Sequence, residues 1–519
     1  MEDHRENLQT LIRESPPWWK SPSLRKLYFF LIAPLISSTG LGFDIAMTNG
    51  LQSVDHFMNH FGNPKGADLG FYGACMSVGS IIASLCAGPL IERFGRRLPL
   101  FCGASIVVGM AIMETFATSF AMFNGGKLVI GFGTTISQVS STVLVAELAH
   151  PKQRVSVTSI QNTGIFFGIL TGAWITIPCI IQAVLPLYQV AMIWFCPESP
   201  RWLISKNKTS QARDILIKYH GDGVETDLVR SEIQEIIAGI EVDATMLKFN
   251  KQGIQSIVGS KGTRHRLWII FWLAVGSQCL GNGLVSTYLP LILDQVGLTS
   301  SKEKTIINAV LNTWNLIVAL PMALVSYKIP RRVLFLASTS GVLVMFVIWT
   351  ALSAQYLQTE KEGLGIGVVA VIFIFNTFYS SCWVSMVVAY PLELTTTKQR
   401  AIFGGYSSFC VSCSSFIISY VNPIGLQNLS WRYYIIQCVF NSLVLLVIWS
   451  TFVETKGYTL EETVMIFDGG EQTIRDAVEA IGEEFEMKAQ TIGVGQHVDV
   501  ADSRRASRGN WTRVYIGIF

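Results

Sequence analysis

Three groups of residues in this chain have types and spacings suited to chemistry. The first is carboxylates in apolar surroundings. Asp44 closes a long apolar run, and Glu114 lies within another. A carboxylate at membrane depth costs about 3 kcal/mol or more unless it is paired, hydrated or protonated. Asp44 therefore reads as a proton-binding site or, more plainly, as an interfacial Asp at the end of a span. The second group is Glu and Arg at fixed spacing. Glu147 precedes Arg154 by seven residues, Glu393 precedes Arg400 by seven, and both segments end Lys-Gln-Arg. Carboxylate and guanidinium make strong, often bidentate bonds, which suits contacts that form in one state of a protein and break in another. The third is the heptad Pro197-Glu198-Ser199-Pro200-Arg201-Trp202-Leu203. Its prolines bias the preceding residues away from helix, so a helix should end near Cys196. Glu198 and Arg201 could then pair, or could simply be two solvated charges at a helix stop.

The elements that hold these residues are apolar. The chain is 50% hydrophobic and 14% charged, against roughly 25% charged in soluble domains, so it is read as an integral membrane protein. A net charge of +3 is too small to point to nucleic acid. The ten cysteines sit in or at the ends of apolar runs without metal-ligand spacing. No nucleophile–base spacing, metal cluster or phosphate loop appears, so neither an enzyme nor a bound cofactor is expected. A spanning helix needs about 20 apolar residues. Such stretches lie near 27–47, 69–90, 98–118, 121–146, 156–175 and 177–196, then near 267–290, 307–327, 333–352, 366–390, 401–421 and 432–453. The expected fold is all-α, with twelve transmembrane helices in two six-helix bundles, 27–196 and 267–453. A charged linker, 197–266, joins them, and tails 1–26 and 454–519 flank them. The fifth and sixth spans have barely enough residues for two crossings and no real loop between them.

Short loops on one side carry Arg93, Arg96, Arg97, Lys152, Arg154, Lys328, Arg331, Arg332, Lys398 and Arg400. Those on the other carry Lys65, Lys302, Lys304, Lys361 and Arg432. This bias places both termini and the linker in the cytoplasm.

The two halves repeat each other. Glu147 to Arg154 matches Glu393 to Arg400, Glu92-Arg93-Phe94-Gly95-Arg96-Arg97 matches Tyr327 to Arg332, and Pro197-Glu198-Ser199 matches Val453-Glu454-Thr455. Three motifs in one order at similar offsets imply a duplicated six-span unit, with a cavity between its copies as in secondary transporters.

Several of these motifs carry a family resemblance. Gly88 to Arg97, the Pro197 heptad and Glu454-Thr455-Lys456-Gly457-Tyr458-Thr459-Leu460-Glu461-Glu462 resemble the sugar porter family of the major facilitator superfamily. Gly42-Phe43-Asp44, Glu147-Leu148-Ala149-His150-Pro151, Asn422-Pro423 and Trp431-Arg432-Tyr433-Tyr434 resemble its fungal lactose permease and hexose transporter branch. The resemblance implies alternating-access transport of a hexose or disaccharide by a monomer in the plasma membrane, driven by a proton gradient. It implies sugar contacts at Asn162, Gln278, Asn282, Asn315 and Tyr288, since amides both donate to and accept from hydroxyls. It implies proton coupling through Asp44 and Lys127, where Lys127 stands at the position of a fourth-span Arg. It further implies gating ion pairs between the halves, drawn from Glu92, Arg96, Arg97, Glu147, Arg154, Glu198, Arg201, Glu393, Arg400 and Glu454. The alternatives are transport or export of another polyol or metabolite, and a non-transporting nutrient sensor. Gly164, Gly168 and Gly172 have small-xxx-small spacing and read as a close helix-packing face.

Overall fold

In hydrocarbon a backbone must satisfy its own N–H and C=O groups, so the apolar runs fold as helices. The computed structural model describes residues 18–174, 179–246, 261–298, 300–325, 329–395, 400–456 and 467. Before the linker come α1 (Pro22–Leu51), α2 (Asp55–His60), α3 (Ala67–Phe94), α4 (Arg97–Thr115), α5 (Phe120–Leu148), α6 (Arg154–Trp174) and α7 (Val184–Met192). The linker forms α8 (Pro200–Ser205), α9 (Thr209–Tyr219) and α10 (Asp227–Met246). After it come α11 (Lys261–Cys279), α12 (Asn282–Gln295), α13 (Ser301–Val325), α14 (Arg331–Thr359), α15 (Glu362–Leu394), α16 (Arg400–Leu429) and α17 (Arg432–Thr451).

Among the described residues, ten helical stretches are long and apolar enough to cross a membrane, with α11 and α12 forming one of them. Two shorter apolar helices, Thr163–Trp174 and Ile181–Phe195, occupy the places of the fifth and sixth spans. The sixth is short in residues but not in reach. Turns of 3-10 helix at Cys179–Ala183 and Ile193–Phe195 flank α7. A 3-10 turn rises about 2.0 Å per residue against about 1.5 Å in an α-helix, so this stretch extends close to 30 Å. It ends at Phe195 with Cys196 as its cap, where the proline pair of the heptad is expected to stop it. Large apolar side chains such as Leu85, Val439, Leu446 and Trp449 are exposed on the outside of the helices, as lipid-facing residues are.

Glycines set the closest contacts. The Gly164, Gly168 and Gly172 face of α6 lies against α1: a Cβ at Gly168 would come 2.8 Å from the Phe43 nitrogen, and one at Gly172 would come 2.9 Å from the Ala46 Cβ. The α11–α12 pair bends at Gly281, whose φ of 104° is left-handed, and again at Tyr288, with φ −125° and ψ 24°. Pro290 causes the second break, because it lacks an N–H and its ring clashes with the carbonyl four residues back.

The linker is docked on the helices before it. Asp222 accepts hydrogen bonds from the Ser21 hydroxyl at 2.7 Å and the Ser23 N–H at 3.3 Å. Ser21 is itself the N-cap of α1. His220, just past α9, contacts the Glu232 carboxylate at 2.8 Å and the Leu148 carbonyl at 3.2 Å.

Candidate functional site

The charged motifs assemble into two matching clusters. In the first, Arg96 grips Glu147 through two bonds of 2.8 and 2.9 Å. The Glu198 carboxylate accepts the backbone N–H groups of Arg96 and Arg97, at 3.1 and 3.3 Å, at the start of α4. A carboxylate there satisfies orphan N–H groups and meets the positive end of the helix dipole. Gly95 has a φ of +89°, and a Cβ on it would come 2.7 Å from a Glu198 oxygen, so the turn needs glycine. Arg97 donates to the Trp194 carbonyl and lies over its ring. In the second cluster Arg331 binds Glu393, with its shortest contact at 2.8 Å. Glu454 accepts the Arg331 and Arg332 N–H groups at 2.8 and 3.0 Å. Arg332 donates to the Trp449 carbonyl. The repeat in the sequence is thus a repeat in geometry.

Among the described residues each of these bidentate carboxylate–Arg pairs lies within its own half, so neither is itself a contact between halves. Each Glu is carried by the helix that packs beside its Arg, α5 for Arg96 and α15 for Arg331, so each pair is fixed by packing inside its own bundle. Glu198, for which pairing with Arg201 was one of two readings, accepts the N-terminal N–H groups of α4 and the N–H of Ser199 at 2.9 Å. Arg201 is exposed on the first turn of α8, which Ser199 caps through its hydroxyl at 3.2 Å from the Trp202 nitrogen. The Glu92 side chain is exposed, and its carbonyl accepts the Trp202 indole N–H at 3.0 Å. The side chains of Arg154 and Arg400 lie outside the described residues.

Deeper in the first half, Asp44 and Lys127 are both buried. They do not form an ion pair. The Lys127 ammonium instead donates to the Thr48 hydroxyl, one turn along α1 from Asp44, and lies 4.7 Å from the Tyr72 ring centroid. The Thr48 hydroxyl in turn donates a hydrogen bond to the Asp44 backbone carbonyl at 2.8 Å. Asp44 lines a small cavity of mixed character, with Ser37, Thr134, Ser137, Gln182 and Gln189 as its other polar residues. Gln182 and its partner Glu114 were not singled out as a pair by sequence reasoning, because the 3-10 turn that carries Gln182 against α4 has no sequence signal.

Two of the expected amides, Asn282 and Asn315, contact α15, and Gln278 lies next to a residue that α15 binds. Gln278 is half-buried and donates to the Ser277 hydroxyl at 3.2 Å, while Tyr379 donates to the Ser277 carbonyl at 2.5 Å. Asn282 lies beside Tyr379. Asn315 accepts from the Ser380 hydroxyl at 3.5 Å. The Asn162 side chain lies outside the described residues; its neighbour Gln161 is buried and donates to the Ser141 hydroxyl at 2.7 Å, tying α6 to α5. Tyr288 departs from expectation. It is fully buried, with its hydroxyl donating to the Ser419 carbonyl at 2.5 Å and lying 3.4 Å from the Leu69 carbonyl. The helix break at Tyr288 swings the ring into the space left by Gly73, so here it seals an interface instead of lining a pocket.

Several of the hydrogen bonds described between the halves gather toward one end. Asn49 donates to Asn308 at 3.1 Å, Gln52 to the Thr287 carbonyl at 2.7 Å, Ser301 to Asp55 at 2.6 Å and Trp174 to Thr313 at 3.1 Å. These four lie toward the end remote from the linker, and that end is closed; Ser77 and Ser415, 3.1 Å apart, join α3 to α16 deeper between the halves.

The family model described as "Sugar (and other) transporter" matches residues 30–467. A high-affinity glucose transporter of Kluyveromyces lactis is 24% identical over 482 residues, covering 85% of this chain and 85% of that protein. The sugar transporter STL1 of Saccharomyces cerevisiae is 24% identical, covering 86% of this chain and 82% of that protein. Among solved structures, the partially occluded inward-open conformation of the xylose transporter XylE from E. coli matches with a TM-score of 0.68 at 19% identity, covering 84% of this chain and 100% of that one. That likeness establishes the expected all-α membrane fold. With its match spanning most of the sequence, this multi-pass membrane protein belongs to the sugar (and other) transporter family.

Proposed function

We propose that this chain carries a hexose or a disaccharide across the plasma membrane by alternating access, as a monomer. Two six-span units, 27–196 and 267–453, rock about a central site. The linker 197–266 and the tails 1–26 and 454–519 face the cytoplasm. The observation that supports this most directly is the position of the contacts between halves. They close the end remote from the linker, the closure expected of a state that opens toward the linker. Gln278, Asn282 and Asn315 stand half-buried on three successive helices of the second unit, and neutral amides suit hydroxyl-rich ligands. With Asn162 they are the proposed sugar contacts, and Tyr288 closes over them from the outer side. Asp44 and Lys127 are the proposed proton-coupling pair. The Arg96–Glu147–Glu198 and Arg331–Glu393–Glu454 clusters brace each unit as it moves, with Arg97 as part of the first brace. Glu92, Arg154, Arg201 and Arg400 complete the same rim. The names of the relatives, a glucose transporter and a sugar transporter, support the substrate class.

Transport of another polyol or metabolite is the second reading, favoured by Lys127 where a family Arg is expected. Uptake of a labelled sugar and polyol panel in carrier-deficient cells, with and without a proton-gradient collapser, tests both. Sugar uptake abolished by the collapser is the expected result. Uptake confined to polyols selects the second reading, and no uptake of any member removes both.

A further inference from the structure

Glu114 lies within α4, one of the spanning helices, and is only 3% exposed. Its carboxylate has one hydrogen-bond donor, the Gln182 amide, at 2.8 Å from Oε2. Among the described residues Glu114 Oε1 has no partner, and neither has Gln182 Oε1. Two buried acceptor atoms thus lack a donor at one place, and unpaired buried polar atoms are costly. Space at Oε1 is kept open by Gly126: a Cβ there would lie 2.9 Å from Glu114 Cγ and 3.3 Å from Oε1. Gly126 immediately precedes Lys127 on α5. Gln182 is shared, since it also lines the cavity that holds Asp44. The charged and titratable groups facing Glu114 are Lys127 from α5, Asp44 from α1 and Cys75 from α3. Two buried carboxylates are therefore within electrostatic reach of one buried ammonium. With both ionised the cluster holds an uncompensated negative charge; one added proton makes it neutral and supplies the missing donor.

We propose that Glu114 is a second proton-binding residue beside Asp44, with Gln182 as the amide that positions it. The step is a simple one. A proton from water forms an O–H bond at the Glu114 carboxylate, and the same bond breaks on release. Lys127 couples the two carboxylates, so they titrate as a pair. The role of this proton in transport rests on the proton-coupled reading above; its binding does not.

The test uses infrared difference spectroscopy of the full chain in lipid nanodiscs, following the protonated-carboxyl C=O stretch through a pH titration. The parent should show a titrating carboxyl band that persists in Asp44→Asn, disappears in Glu114→Gln and shifts in Gln182→Leu. Glu114→Gln is isosteric, and a cooperative thermal unfolding transition like the parent's confirms its fold. A titrating spectrum in Glu114→Gln identical to the parent's overturns the site. In reconstituted vesicles under an imposed pH gradient, Glu114→Gln should lower the sugar accumulation ratio below the parent's, because the carboxylates bind their proton as a coupled pair. An unchanged ratio overturns its part in the cycle. A parent that shows the band yet accumulates no sugar against a gradient sinks the proton-coupled reading and leaves Glu114 as a proton-binding residue.

Discussion

Asp44 was legible as a carboxylate in an apolar run, but its surroundings were not. Lys127 is held by the Thr48 hydroxyl and the Tyr72 ring, so the ammonium already has partners when Asp44 lacks its ion pair. This arrangement lets Asp44 gain or lose a proton without stranding the lysine. Asp44→Asn should therefore abolish uphill accumulation while downhill exchange continues. Lys127→Arg should keep coupling, because Arg stays charged and can bind bidentately. Accumulation ratio against external pH in vesicles measures both, and full pH-driven accumulation by Asp44→Asn would remove the assignment. For the amides, Gln278→Ala should weaken sugar affinity by roughly 0.5–1.5 kcal/mol, or about two- to tenfold. Unchanged affinity at normal expression would make Gln278 interhelical glue. Tyr288 shows where single-residue reading fails: its type suits a sugar, but the break ahead of Pro290 decides which way the ring points.

At the scale of elements, apolar length alone located the long helices, and only the sixth span needed geometry that sequence does not display. Its 3-10 turns stretch few residues across a full thickness. The glycine face of α6 was readable from spacing, although its partner, α1, was not. Gly168→Val should destabilise the chain by about 1–3 kcal/mol through overpacking, because the neighbour it meets is α1 backbone, which cannot yield as a side chain can. Thermal unfolding in detergent measures this, and a stability equal to the parent's would show that α1 and α6 separate at no cost. The linker's docking has a defined pH response. Burial alone would push the Asp222 carboxyl up, but hydrogen bonds from Ser21 and Ser23 outweigh it and hold it below the usual carboxylate range. A depressed value means that Asp222 contributes stability above its unfolded value, about 3.9, and loses it as pH falls through the folded one. Docking of α9 on the start of α1 should thus be insensitive to Asp222 near neutrality and loosen only in acid. Hydrogen exchange at 209–224 should show that acid loosening, and Asp222→Asn should lose it. Loosening near pH 7 that vanishes in Asp222→Asn would contradict the assignment.

For the whole molecule, the sequence repeat foretold two equivalent clusters, because the same three motifs recur in the same order in each half. It could not tell whether Arg96 would meet Glu147 or Glu393, since a repeat offers every Arg two equivalent partners and only packing chooses. The choice has a mechanical consequence. Clusters closed within each half make each half a rigid body, and the contacts that change during transport must then lie between halves. The best-defined of these, Ser301 to Asp55 at 2.6 Å, joins the start of α13 to the start of α2 at the closed end. If the two units rock, this contact must open when the opposite end closes. A protein carrying Asp55→Cys and Ser301→Cys, bridged by a short reducible bifunctional thiol reagent, should then be held in the described state. Transport should fall to background on bridging and return on reduction. Each single variant, with only native cysteines beside the new one, should keep its transport through the same treatment. Binding from the linker side should survive bridging, because the amides on α11, α12 and α13 stay accessible from that end. The measurement pairs sugar uptake in vesicles with ligand binding to the bridged protein. Uptake at parental rate through a fully bridged sample would mean that the closed end need not open, and rocking of two rigid halves would have to be abandoned.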